Sequence, residues 1–165
     1  MFKEIKATDI KENIIDMISR EWMLITAGDR KGYNMMTASW GFMGEMWGKH
    51  SVSVMVRPQR YTMKFIEENE YFTLSFYGDN KKIHKVCGGM SGRDVDKTKL
   101  TGLTPVFCEK APYFCEARLV IVCKKQYVGR LEADCFTDKE PLSKWYKDDL
   151  HYNIIGSIEK VLVKK

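Results

Sequence analysis

Apolar and polar positions along this chain change period several times, and each change marks an element. Ile10, Ile14, Met17 and Ile18 recur at helical spacing, and Asp9 followed by Glu12 makes a capping box, so a covering helix is predicted to start at Asp9. Trp22 to Ala27 reads as a strand, Gly28-Asp29-Arg30-Lys31-Gly32 carries turn chemistry, and Asn34 to Trp40 reads as a second strand, so the two predict a hairpin. Between Gly41 and Gly48, glycines interleave with Phe42, Met43, Met46 and Trp47. This predicts a loop with exposed apolar groups, either folded back on the core or forming a pocket wall or part of a subunit interface.

Ser51 to Val56 alternates as a core strand, and Pro58 forces extended backbone ahead of a helix from Tyr61 to Asn69. Tyr71 to Tyr77 alternates strictly, with Phe72, Leu74 and Phe76 on one side, and predicts a half-buried strand. Asp79 is placed to cap a short helix through Ile83, Val86 and Cys87 that stops at Gly88-Gly89. Ser91 to Lys97 is a polar cluster, read as a solvated loop leading into Lys99-Leu100. Tyr113 to Lys125 predicts a long strand with Cys115, Leu119, Ile121 and Cys123 on one face, Tyr127 to Phe136 a partner for it, and Tyr152 to Val163 a last strand or two. Strands in hairpin order with helices between them favour an antiparallel barrel, mainly β with inserted helices, over a doubly wound sheet. No Gly-x-Gly-x-x-Gly follows a strand, which leaves a Rossmann reading without support.

Composition narrows the class. The 165 residues, 44% apolar and 30% charged, suit a single domain over 1–165 with a core of its own. A formal charge of +5, from 27 basic and 22 acidic residues spread along the chain, fits a solvated surface and leaves room for an anionic ligand. No apolar run has the length of a membrane span and no signal-peptide core follows the N-terminus, so a cytoplasmic protein without a membrane partner is expected. Five cysteines without a Cys-x-x-Cys pair argue against a disulfide framework and a zinc ribbon.

The most informative stretch runs from Tyr33 to Thr62. Asn34-Met35-Met36-Thr37-Ala38-Ser39-Trp40 is a strand end with small and hydroxyl side chains, and Arg57-Pro58-Gln59-Arg60-Tyr61-Thr62 is a basic helix start. The first N–H groups of a helix lack intrahelical partners and the dipole favours an anion there, so Arg60 and Thr62 would complete a phosphate site. Met35 and Met36 read as packing side chains whose backbone matters more than their sulfur, and Trp40 fits either core or ring stacking. His84 and Cys87, one pair on one helix, cannot complete a metal shell, so no metal is expected. His151 opens a strand, with nearness to a cofactor as the alternative. A fainter pattern, Tyr71, Tyr77, Lys81 and Lys82, would suit a small β-barrel nucleic-acid-binding protein, but basic and acidic residues are too interspersed to favour it.

Asn34 to Trp40, then Arg60-Tyr61-Thr62, then Ser91-Gly92-Arg93-Asp94-Val95-Asp96-Lys97 and a closing strand from His151 to Val161 together resemble the flavin reductase-like family, in particular its flavoredoxin-type members. The likeness runs from about Trp22 to about Val161. It implies an antiparallel, Greek-key type split β-barrel that binds FMN and works as a homodimer, with the flavin in a groove near the subunit interface. The segment matching Met36, Thr37, Ala38, Ser39 and Trp40 would lie along the flavin, Ser39, Arg60 and Thr62 would surround its phosphate, and Lys97 would add a contact. Asn34, Tyr61 and Ser91 belong to the same motifs and count as cofactor-binding candidates. The implied function is a flavoprotein oxidoreductase, either a flavin reductase or a flavoredoxin-like electron carrier, with NAD(P)H as a transient donor and a small-molecule or protein redox partner. A non-catalytic flavin-binding dimer is the alternative. Because the flavin carries the chemistry, no nucleophile or general base need be found in the chain, and the catalytic residues stay unassigned.

Overall fold

In the computed structural model, which describes residues 1–107 and 109–165, ten strands and five helices follow one another along the chain. The strands are β1 (Phe2–Ile5), β2 (Met23–Asp29), β3 (Gly32–Ala38), β4 (Gly41–Met46), β5 (Lys49–Val56), β6 (Tyr71–Phe76), β7 (Pro105–Val106), β8 (Tyr113–Phe114), β9 (Leu119–Arg130) and β10 (Tyr152–Lys164). The helices are α1 (Ile14–Asp16), α2 (Tyr61–Glu68), α3 (Lys81–Gly89), α4 (Lys97–Thr101) and α5 (Glu140–Trp145). The main sheet is antiparallel in the order β3-β2-β6-β9-β10-β5-β4, and β1 also pairs with β10.

β10 decides the architecture. One of its edges pairs with β9 over nearly its whole length, while the other takes β5 along 152–157 and β1 along 161–164, with register shifts at Ile155/Gly156 and Ile158/Lys160. Such irregularities bend a strand and increase its twist, so one long strand serves two curved halves. The end strands of the sheet, β3 and β4, are consecutive in sequence and joined only by Ser39 and Trp40. The sheet is not closed between them. This is the expected split antiparallel barrel, mainly β with inserted helices.

Alternating side chains divide between two apolar layers. Inside the barrel lie Ile25, Met36, Val54, Phe72, Leu74 and Ile121, closed at one end by Met63, Phe65 and Ile66 of α2. Outside it Leu24, Met35, Val120 and Val122 pack against Ile83 and Cys87 of α3 and Phe114 of β8. The second layer corrects the reading of β6 as half-buried: Thr73 and Ser75, on its polar side, are fully buried, and the Thr73 hydroxyl donates to Pro112 O at 2.6 Å. Among the described residues, no helix is long and apolar enough to cross a membrane.

Five further expectations need correcting. Asn13, not Asp9, caps the first helix, its Oδ1 accepting from the N–H groups of Ile15 and Asp16, whereas Asp9 ends a 3-10 turn whose carboxylate turns back to Lys6 N–H. The segment from Gly41 to Gly48 is no loop; it forms β4 and the Trp47-Gly48 turn of the β4–β5 hairpin, with positive φ at both turn residues. Asn80, not Asp79, precedes α3. The long strand predicted from Tyr113 is broken after Phe114, so Cys115 is exposed in a turn, and Tyr127 continues β9 instead of opening a separate strand. Cys87 and Cys123 are buried as expected, Cys135 is exposed, and Cys108 lies outside the described residues.

Candidate functional site

The split leaves backbone groups of β3 without a strand partner on its outer edge, because among the described residues β3 pairs only with β2. Residues two apart in a strand send their N–H and C=O groups to the same side, so Thr37 shares its edge with Met35, whose carbonyl accepts from Lys97 Nζ at 2.8 Å. The two-residue link then crosses to β4. Gly41 sits against Ser53 O so closely that a side chain there would meet the backbone. At the link, a cleft of about 270 Å³ is lined by Met36, Thr37, Ala38, Ser39 and Trp40 on one side, and by Met55, Arg57, Arg60, Trp145 and His151 on the other. A larger hollow of about 590 Å³ shares Ser39, Trp40 and Met55 with it and is walled by Ile14, Ile18, Phe42 and Leu131.

Arg60 is the N-cap residue of α2, with extended backbone. Its Nη1 donates to Gly88 O at 3.0 Å and, among the described residues, no carboxylate pairs with it. Arg57 differs. It is paired with the Asp149 carboxylate, donates to Trp145 O at 2.8 Å and has its guanidinium over the Tyr146 ring, while Gln59 Nε2 also donates to Asp149 at 2.8 Å. Arg57 therefore ties β5 to the segment after α5, and Arg60 carries the cleft's uncompensated charge.

His151 lies against Trp40, ring centroids 5.0 Å apart, with Nδ1 at 2.9 Å from the Tyr146 hydroxyl. Burial, reinforced by Arg57, pushes its pKa down to about 4, so the ring is neutral at physiological pH. Trp40 also meets Trp145 edge to face at 5.3 Å. Trp40 is half-buried and lines the cleft, with aromatic neighbours on that side.

The remaining candidates divide by location. Asn34 and Thr62 are both buried and bonded to each other, Asn34 Nδ2 donating to Thr62 Oγ1 at 2.8 Å. The Thr62 side chain here locks α2 onto β3 and does not line the cleft. Gly92 packs so tightly on Asn34 that any Cβ would collide with Oδ1. Tyr61 meets Phe65 edge to face and carries the Arg93 guanidinium over its ring, and Ser91 Oγ accepts from Arg93 N–H at 3.2 Å. Asn34, Thr62, Tyr61 and Ser91 do not line the cleft, and Asn34 lines a separate hollow of about 540 Å³ with Gly92, Arg93 and Lys97. Lys97 is only 5% exposed, which corrects the reading of its segment as a solvated loop. Asp96 caps α4 by accepting from Thr98 and Lys99, and Lys97 Nζ donates to Met35 O and to Cys87 O at 3.0 Å. Burial lowers the Lys97 pKa.

Met55, Arg57 and Trp145 are cleft residues that the sequence motifs do not single out, and Tyr146 lines the larger hollow beside them. Arg57 stood inside the motif next to Arg60, but nothing local marks the α5 end, which reaches the cleft from some ninety positions away. Of the Tyr71, Tyr77, Lys81 and Lys82 pattern, Tyr77 is buried in the outer layer, and Lys81 sits over the Trp22 ring with its ammonium on Arg20 O. Among the described residues no three His, Cys, Asp or Glu side chains gather as metal ligands.

Comparison with solved structures finds the same fold in flavoredoxin of Desulfovibrio vulgaris (Miyazaki F), 26% identical, with a TM-score of 0.67 over 87% of this chain and 69% of that one. Flavoredoxin from Methanosarcina acetivorans aligns with a TM-score of 0.68 at 24% identity, covering 88% of this chain and 69% of the other. An FMN-binding protein from Thermus thermophilus, solved with bound p-hydroxybenzaldehyde, aligns at 17% identity with a TM-score of 0.68 over 99% of this chain and 82% of that one. A comparison with curated proteins finds no match. The model of the flavin reductase like domain matches residues 16–163, a span that takes in both ends of the split and every residue of the cleft. The chain belongs to the flavin reductase-like family.

Proposed function

We propose that this protein binds FMN in the cleft between β3 and the start of α2 and passes hydride or electrons through it as a flavin reductase or flavoredoxin-like carrier. The observation that carries the reading is Arg60, a cation that has no carboxylate partner among the described residues, placed at a helix N-cap beside a strand edge that no described strand pairs. The helix start and guanidinium suit a phosphate, and free backbone groups along Thr37 to Ser39 suit the polar edge of a flat heteroaromatic ring. Trp40 and His151 supply an aromatic wall without charge, since the imidazole is neutral at physiological pH. Bound there, the flavin would supply the redox chemistry. The chain's own part is to hold the phosphate with Arg60, keep the second cation Lys97 nearby on Met35 O and Cys87 O, and exclude water with Trp40, Met55 and Trp145. Ser39 lines both the cleft and the larger hollow.

The reading extends to assembly and partners. Phe42 and Trp47, 69% and 61% exposed, together with Met46, line the outer hairpin, and a symmetric dimer would bury them. The donor is proposed to be NADH or NADPH and the acceptor a small molecule or protein, in the cytoplasm. Stoichiometric uptake of FMN, followed by anaerobic bleaching with either nucleotide, is the expected result. A protein that takes up FMN but is bleached by neither would instead be a flavin-binding dimer without nucleotide-dependent turnover.

A further inference from the structure

The polar groups around the cleft share an unexpected anchor. Three candidate cofactor residues from three different elements are all bonded to one stretch of α3: Thr37 to His84, Lys97 to Cys87 O, and Arg60 to Gly88 O. The carbonyls near a helix C-terminus carry partial negative charge, so two cations held there are well placed. His84 is the one member of this anchor that acts through its side chain.

That side chain is 2% exposed and packed edge to face against Trp22 and Tyr77, at 5.8 and 6.1 Å between centroids. Thr37 Oγ1 donates to His84 O at 3.0 Å and lies 3.2 Å from His84 Nδ1. A threonine hydroxyl has a single proton, so both contacts form together only when Nδ1 carries the imidazole proton and donates to Oγ1. The opposite tautomer would bury an N–H at Nε2, an atom without a partner among the described residues, and an orphaned donor is rarer in folded proteins than an under-satisfied acceptor. With its proton committed to His84 O and one lone pair taken by Nδ1–H, the Thr37 hydroxyl has only an acceptor left to offer the cleft. Gly88 brings α3 within a few ångströms of the same side chain: a Cβ there would stand 3.3 Å from Thr37 Cβ.

We infer that His84 is a positioning residue for ligand binding: its Nδ1–H locks the Thr37 hydroxyl as an acceptor facing the cleft, so that a ligand edge carrying an N–H donor is favoured there. This rests on the function proposed above, since a flavin ring carries one N–H donor on its otherwise accepting polar edge. His84 reaches the ligand only through Thr37. Its removal should therefore have no further consequence once the Thr37 hydroxyl is gone.

The test is a double-mutant cycle read by FMN titration, with His84→Leu, Thr37→Val and the double variant, and His84→Asn as the conservative replacement that keeps a donor near the Nδ1 position. His84→Leu and Thr37→Val should each weaken FMN binding by roughly three- to tenfold, as for a neutral hydrogen bond. The double variant should be no weaker than Thr37→Val, and His84→Asn should stay within about twofold of the parent. The visible band of bound FMN should shift alike in His84→Leu and Thr37→Val. Losses that multiply in the double variant, a His84→Asn as weak as His84→Leu, or a folded His84→Leu with parental affinity each overturn the inference. The lock is also read without flavin: nitrogen NMR of the His84 imidazole should find the proton on Nδ1, and finding it on Nε2 overturns the inference even if FMN binds. Failure of the parent protein to bind FMN at all removes the proposed function and the ligand role of His84 with it.

Discussion

Arg60→Ala offers a quantitative test of the proposed phosphate site. The guanidinium spends one N–H on Gly88 O and faces no carboxylate among the described residues, so its remaining donors and its charge are available to an anion. A charge-assisted bond of this kind contributes about 1.5–3 kcal/mol, which corresponds to roughly a ten- to hundredfold change in dissociation constant. Loss of the Gly88 contact itself should cost about 1 kcal/mol of stability, a few degrees of melting temperature in a domain of this size. The assay is fluorescence titration of parent and variant with FMN and, in parallel, with riboflavin, which has the same ring and no phosphate. Arg60→Ala should lose its affinity for FMN selectively, leaving riboflavin within about threefold. The parent's preference for FMN should also weaken with added salt. Unchanged FMN binding, or equal losses for FMN and riboflavin, would place the phosphate elsewhere and refute the reasoning.

Other outcomes follow from the same structure. Sedimentation should find a dimer at micromolar concentration, and Trp47→Lys on the exposed hairpin should shift it toward monomer; a monomeric parent with flavin bound contradicts this. Native thiol labelling should modify Cys115 and Cys135 but not Cys87 or Cys123, because burial pushes the Cys87 thiol up to about 11 and raises that of Cys123 as well. Changing all five cysteines should leave flavin-dependent reduction within about threefold, roughly 0.65 kcal/mol in barrier, if the fold is kept; a hundredfold loss with flavin bound would bring a thiol into the electron path. His84 and His151 are both pushed down to about 4 by burial, His84 further by Lys81 and His151 by Arg57. Since these values lie below the unfolded 6.5, the unfolded chain binds protons first on acidification. Stability should be full above about pH 6.5 and fall toward pH 4, by up to about 3 kcal/mol per histidine. Urea unfolding at pH 7 and pH 4.5 reads this directly, and equal midpoints would contradict it.

How much of this was legible depends on how local each cause is. The helix start at Arg60 follows from Pro58 and the helical spacing of Tyr61 and Phe65, both contained within a few residues. β4 was not legible because it lies at an end of the sheet, where its exposed Phe42 and Met46 remove the apolar alternation and its glycines mimic a loop. Thr62 was rightly placed in the first turn of a helix, yet Asn34, far away in sequence, claims its hydroxyl. β6 read as half-buried because Thr73 and Ser75 are polar; the layer that covers them comes from α3 and β8, whose docking no strand pattern announces. Trp145 likewise carries no local signal, since its place at the cleft is tied to Arg57, whose guanidinium donates to Trp145 O from 88 positions away.

The decisive observation is the visible spectrum of the protein after mixing with one equivalent of FMN, gel filtration, and anaerobic addition of NADH or NADPH. The flavin band should travel with the protein at one FMN per chain and bleach on addition of one of the two nucleotides. FMN that separates from the folded protein on the column would contradict the assignment of the β3–α2 cleft as a flavin site.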